Sequence, residues 1–253
     1  MPTPRILLTL IALSFACQTL AAEVNVYSAR KDALIVPLLD RFTAKTGIEV
    51  NLITGKANTL LSRIQAEGAA TPADVLVTVD AGNLHRAKEA GVLATVDSTT
   101  LSEKIPENLR DVHNQWFGLT VRSRPIFYAK DRVNPSELST DEALTDSQWK
   151  NRICIRSSSN IYNQSLVASM IKANGEETTL EWAKGLMSNL ARKPAGGDTD
   201  QLRAAAAGQC DLAIANTYYF GRLIDSKKPE DRQVVDKLGV FWPNQTDRGA
   251  HIN

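Results

Sequence analysis

Short apolar runs alternate with helically spaced apolar residues along the first part of the chain. Val24 to Tyr27 is mostly β-branched or aromatic and predicts a strand. Leu34, Leu38, Leu39 and Phe42 then recur at helical spacing, and Gly47 stands where that helix would stop. Pro37 fits this helix only within its first turn, where a missing N–H costs no helical bond. Ile48 to Ile53 predicts the next strand, and Asn58 can cap a helix carrying Leu60, Leu61 and Ile64. Pro72 introduces a third strand, Asp74 to Val79, and a helix with Leu84 and Ala87 ends at Gly91. This β-α-β-α-β alternation predicts a parallel, doubly wound sheet with helices on both faces.

The apolar periodicity fades between Asp97 and Val112. Trp116 to Tyr128 then reads as one extended apolar run, interrupted by Arg122 and Arg124, and an irregular region with Pro135, Asp141 and Trp149 follows. The alternation resumes with a strand from Ile153 to Arg156, which leads into a loop of Ser157, Ser158, Ser159 and Asn160. One helix carries Leu166, Met170 and Ile171, and a second runs from Thr179 to Leu190. Pro194 to Gly197 is a turn, Asp198 can cap an Ala-rich helix ending at Gly208, and a strand from Leu212 to Ala215 runs into Asn216. Two α/β units joined through an extended segment make a bilobal design, with ligands expected at the carboxyl ends of strands or between lobes. The chain stops at Asn253 just after a strand and turn (Val240 to Gly249), which reads as a fragment or a truncated gene product.

Composition changes this picture little. The chain is 43% hydrophobic and 23% charged, an ordinary globular balance, and 29 Lys+Arg face 28 Asp+Glu. No basic surplus points to nucleic acid. The first 22 residues do change the picture: Arg5, an apolar stretch from Ile6 to Ala16, and Leu20-Ala21-Ala22 form a signal-peptide layout. Cleavage is expected after Ala22. The apolar run of about 11 residues is short of the ~20 that span a bilayer, and Ser14 and Phe15 fit a lipoprotein signal at Cys17 poorly. The expected product is an exported, soluble, periplasmic protein. Export places Cys154 and Cys210 in an oxidising compartment, which favours a disulfide over two buried thiols.

Enzyme signals are thin. His85, His113 and His251 match no zinc spacing, and there is no Gly-rich phosphate loop and no Gly-x-Ser-x-Gly elbow. The five tyrosines, Tyr27, Tyr128, Tyr162, Tyr218 and Tyr219, are more informative. Tyr218 and Tyr219 are adjacent at the end of a predicted strand, and Tyr162 follows the serine-rich turn. A phenolate is a hard anionic oxygen donor suited to a hard trivalent cation. A free phenol titrates near a pH of about 10, so only a strongly charged ion would keep several ionised at neutral pH. Without such an ion, an adjacent pair of tyrosines is aromatic packing.

From Glu23 to Asn253 the sequence resembles the periplasmic ferric-iron-binding proteins of bacterial ABC importers, a branch of the type 2 periplasmic binding fold. The residues that carry the resemblance are Val26 to Arg30, Phe42 to Ile48, Pro72 to Leu76, Gly118 to Arg124, Arg156 to Asn163, and Asn216 to Tyr219. The resemblance implies Fe³⁺ held by Tyr162, Tyr218 and Tyr219. It also implies a synergistic anion such as carbonate on Arg122, with Ser157, Ser158, Ser159, Asn160 and Asn216 lining the same pocket. Three phenolates balance a 3+ ion, and a guanidinium can bind the added anion bidentately. The chain departs from the family in its first lobe, where Lys31 and Asp32 occupy positions that carry a histidine or tyrosine in other members, and Val79 replaces a glutamate beside Asp80. Asp32 and Asp80 are candidate carboxylate donors, although a helix cap and a turn are their simpler roles; Arg30 and Lys31 could neutralise the anion. Tyr27 and Tyr128 are expected to pack. The implied organisation is lobe one at residues 23–121, lobe two at 122–247, and 248–253 opening a return crossing to lobe one, with a hinge between the lobes. The implied role is a monomeric binding protein that delivers iron to an ABC permease. A receptor for another oxyanion or metal–anion complex is the alternative, ahead of a periplasmic enzyme using the serine loop.

Overall fold

β-Branched residues and one helix-stopping glycine build the first part of the fold, in a computed structural model that describes residues 22–253. The expected leader, Ala22 apart, and Cys17 lie outside those residues. The chain divides into two compact units, one ending at Val77 and the other running from Thr78 to Asn253.

In the first unit, β1 (Glu23–Ser28) pairs in parallel with β2 (Glu49–Thr54) and β3 (Val75–Val77), in the order β2-β1-β3. Two helices, α1 (Asp32–Thr46) and α2 (Ala57–Glu67), make the crossovers. Gly47 ends α1 with φ 72°, its N–H donating to the Thr43 carbonyl, the left-handed cap that a glycine adopts without strain. Pro37 lies inside α1, past the first turn, so the helix forgoes the N–H bond to the carbonyl of Ala33. α2 begins one residue before Asn58, without a side-chain cap. Tyr27 is fully buried, and its hydroxyl donates to Glu67 at 2.9 Å, so this tyrosine is structural.

The second unit begins with α3 (Ala81–Glu89) and α4 (Thr99–Lys104), then β4 (Ile126–Ala129) and β5 (Ile153–Cys154). Three helices follow, α5 (Ile161–Asn174), α6 (Glu176–Ser188) and α7 (Asp198–Ala206), and then β6 (Leu212–Ile214), α8 (Thr217–Ile224), α9 (Pro229–Lys237) and β7 (Leu238–Phe241). The sheet order is β5-β6-β4-β7. Only β5 and β6 run parallel; β4 is antiparallel to both β6 and β7. An all-parallel sheet requires a helical crossover before each strand, and β4 is entered instead from an extended segment. Of the run expected from Trp116 to Tyr128, only the part within Ile126–Ala129 is a strand, with isolated bridges from Phe117 to Arg110 and from Ser123 to Ile252.

Alternation along these strands sorts the core into two layers. Ile126, Ile153, Leu212 and Ile214 face Leu166 and Met170 of α5 and Trp182 and Leu186 of α6. Phe127, Cys154, Ala213 and Ala215 face Leu202 of α7, Leu223 of α8 and Val234 of α9. Cys154 and Cys210 form a disulfide in this second layer, with Cα atoms 5.9 Å apart. Among the described residues, no helix is long and apolar enough to cross a membrane.

Candidate functional site

Two helix starts converge in the second unit. Asn160 caps α5, its side-chain oxygen accepting from the N–H of Tyr162 at 3.0 Å, as the polar loop before a helix predicts. Asn216 is the N-cap residue of α8, so Tyr218 and Tyr219 occupy the first turn of that helix rather than the end of β6. The Tyr218 hydroxyl donates to that of Tyr162 at 3.0 Å. The rings of Tyr218 and Tyr219 lie 4.2 Å apart between centroids, tilted by 31°.

Guanidinium groups surround these phenols. Arg122 lies 5.9 Å from the Tyr218 ring, and Arg222, one turn along α8, lies 5.1 Å from Tyr218 and 5.6 Å from Tyr219. Arg156 lies 5.6 Å from the ring of Tyr162. Burial pushes the Tyr162 phenol above its ordinary range, while the hydrogen bond from Tyr218 and the charges of Arg122 and Arg156 pull it back. Burial also pushes Tyr218 up, reinforced by its hydrogen bonds to Tyr162 and Tyr219. Both phenols therefore hold their protons at neutral pH, and only a strongly bound cation would displace them. No group of three or more His, Cys, Asp or Glu among the described residues is placed to hold a metal.

The serine loop lies beside this cluster in sequence and shapes the start of α5. Ser157 and Ser159 share a hydroxyl contact of 2.9 Å, and the N–H of Ser159 donates to the Ser157 hydroxyl. Ser158 and Ser159 are exposed. Asn216 is fully buried: its side-chain oxygen accepts from Arg124 and its amide donates to Asn253 at 3.3 Å. Arg122 pairs through its backbone with Asn253, leaving its guanidinium toward Tyr218.

The four remaining candidates divide between the units. Arg30, Lys31 and Asp32 belong to the first unit, where Lys31 is the N-cap residue of α1 and Asp32 its first residue. The Arg30 N–H donates to the Ser28 hydroxyl. Asp80 belongs to the second unit and is more than a turn residue. It caps α3 by accepting from Gly82 at 2.8 Å, takes a hydrogen bond from Ser165 of α5, and holds φ 73°. Burial raises its pKa above the ordinary carboxylate range, against hydrogen bonds from Ser165 and Gly82.

Several residues of this region carry no site role in the sequence reading: Arg124, Arg156, Asn163, Asp198 and Arg222. The available signal was an arginine inside an apolar run. Asp198 was expected to cap α7; it is instead the first residue of that helix, and Asp200 supplies the cap through a 2.7 Å bond from the N–H of Gly197. The Asp198 carboxylate turns inward to Arg124 and to the N–H of Asn216.

Residues 70–251 match the family described as bacterial extracellular solute-binding protein. Iron uptake protein A1 of Synechocystis sp. is 54% identical over 231 residues, 91% of this chain and 64% of that protein. The chain thus spans just under two thirds of that relative's length. Among solved structures, Trichodesmium IdiA/FutA in complex with iron and citrate ligands superposes with a TM-score of 0.88 at 53% identity, over 92% of this chain and 73% of the other. The ferric binding protein from Campylobacter jejuni does so with a TM-score of 0.85 at 42% identity, over 91% and 73%.

Proposed function

The chain belongs to the bacterial extracellular solute-binding proteins, and from that premise we propose that it is an exported receptor for ferric iron. Tyr162, Tyr218 and Tyr219 supply the phenolate ligands, and a permease of an ABC importer receives the cargo. The observation that carries this reading is the 3.0 Å approach of the Tyr218 and Tyr162 hydroxyls beside the Tyr219 ring. Three phenolates neutralise Fe³⁺, so a bound carbonate adds negative charge that Arg122 balances bidentately. Citrate, present with iron in the Trichodesmium structure, is the other anion to test. Export follows from the leader, with cleavage after Ala22, and the working form is a monomer.

Ferric iron added with bicarbonate is expected to give a visible tyrosinate charge-transfer band. Tyr218→Phe and Tyr219→Phe should each collapse it while the circular dichroism spectrum stays unchanged. Retention of the full band in both variants would sink the iron assignment. Replacing bicarbonate by citrate should move the band if the anion enters the coordination sphere.

A metal-free oxyanion is the second reading, supported by Arg122 together with the serine loop at the start of α5. It predicts calorimetric binding of phosphate, sulfate or bicarbonate in the presence of an iron chelator. Absence of heat with all three would remove it.

A further inference from the structure

The guanidinium of Arg124 is fully buried, and its four hydrogen bonds go to Asp198, Asn216, Asn163 and Ile214 rather than to the three tyrosines. One terminal nitrogen donates to Asp198 Oδ2 at 2.9 Å and to Asn216 Oδ1 at 3.0 Å. The other donates to Asn163 Oδ1 at 2.6 Å and to the carbonyl of Ile214 at 3.3 Å. Asn163 directly follows Tyr162, and Asn216 stands two residues before Tyr218. The side chain of Asn163 also donates to the carbonyls of Arg156 and Ser157, so the same contact secures the serine loop. Asp198, also fully buried, accepts from the Asn216 N–H at 2.8 Å and from Arg156 at 3.4 Å.

We propose that the Arg124–Asp198 pair is a positioning element that sets the start of α5 against the start of α8 and so holds the Tyr162 hydroxyl against that of Tyr218. A planar guanidinium presents five donors in a fixed fork and so addresses acceptors on several elements in set directions, whereas a lysine offers three rotatable donors from one point. Four chain segments meet in this fork: the entry to β4, the first turn of α5, the start of α7 and the β6–α8 junction. Stability alone does not explain the pair, because a buried ion pair exchanged for well-packed apolar side chains is often as stable or more so. What apolar side chains would not reproduce is the directional link from one tyrosine-bearing helix to the other. Outer partners of metal ligands act this way, orienting the donors without touching the metal.

The inference rests on the ferric reading above, and the test separates the two. Arg124→Met/Asp198→Leu removes both charges together, leaving neither buried alone. Circular dichroism and urea unfolding establish that it folds, and ferric iron with bicarbonate is then titrated. The expected result is an iron affinity lower by about 10–100-fold and a displaced charge-transfer maximum. Asn163→Ala, which cuts the links to α5 and the serine loop but leaves those to Asp198 and Asn216, should displace the maximum in the same direction by less. A folded double variant with wild-type affinity and band position would overturn the proposal. If the double variant does not fold, Asn163→Ala and Asn216→Ala decide: unchanged bands in both would overturn it, and displaced bands in both would support it. Absence of any band in the unmodified chain would overturn the ferric reading, and this inference with it.

Discussion

Two buried ionic clusters in the second unit handle their carboxylates in opposite ways. Around Arg124, the carboxylate of Asp198 accepts from a guanidinium at 2.9 Å, a backbone N–H at 2.8 Å and a second guanidinium at 3.4 Å. Around Arg248, Asp141 is equally buried, but neither of its carboxylate oxygens accepts a hydrogen bond, and the guanidinium stops at 3.6 Å. Burial pushes Asp141 up to about 6 despite that positive charge. Its neighbour Glu142 faces the same arginine at 2.9 Å and also accepts from Asn244 and Asn174. Burial works against Glu142 as well, yet those hydrogen bonds hold it down at about 2. Beside one and the same arginine, the carboxylate with N–H donors aimed at it and a side chain 36% exposed is held down, and the fully buried one without donors is pushed up.

The largest effect is expected where a carboxylate with both oxygens hydrogen-bonded is removed from beside a buried guanidinium. Asp198→Ala leaves Arg124 buried without its counter-ion and should cost about 3–5 kcal/mol in urea unfolding. The apolar double replacement of Arg124 and Asp198 should recover most of that loss. A cost of less than about 1 kcal/mol for the single variant would mean that water reaches Arg124 and that the two clusters do not differ as described.

The contrast between the clusters also marks how far the sequence could be read. The first unit was legible because its signals are local: alternation in β1, helical spacing and Gly47 in α1. The tyrosines stood out by adjacency, by the serine turn before Tyr162, and by resemblance. The Arg124 cluster was not legible, because its partners lie 39, 74 and 92 residues away along the chain. Nothing near Arg124 in sequence says which acceptors will surround it. Asp198 misled for a related reason: a polar residue before a helix reads as a cap, and here tertiary partners outcompete the local role. The reversed direction of β4 was equally hidden, since periodicity predicts a strand without its orientation.

An intermediate effect concerns pH, and two groups should oppose each other. Asp141 has its folded pKa raised from 3.8 to about 6, so it binds its proton more tightly folded than unfolded. The stability it supplies is complete below pH 3.8 and is lost as the pH rises through about 6, on the order of 3 kcal/mol in all. His251 runs the other way. Burial, with the charges of Arg124 and Arg248, pushes it down from 6.5 to about 4. Its contribution is complete above pH 6.5 and is lost as the pH falls through about 4, again on the order of 3 kcal/mol. The two therefore nearly cancel in the unmodified chain over this interval. Asp141→Asn should expose the histidine, so that stability falls between pH 7 and pH 5. His251→Gln should expose the aspartate, so that stability rises over the same range. Urea midpoints at three pH values decide it, and parallel profiles for both variants would sink the assignment.

The smallest effect is expected at the shorter of two ion pairs. Lys184 and Glu181 of α6 approach to 2.7 Å, closer than Arg124 to Asp198, but their side chains are 61% and 66% exposed. Water solvates both ions whether or not they meet, and holding two long side chains together costs rotamer entropy. A double-mutant cycle with Lys184→Ala and Glu181→Ala should give a coupling of only a few tenths of a kcal/mol, decreasing in high salt. The cycle on Arg124 and Asp198 should give a coupling several-fold larger that salt leaves nearly unchanged, because neither group is exposed to counter-ions. Equal couplings in the two cycles would show that distance, rather than burial with hydrogen bonds, ranks ion pairs in this protein.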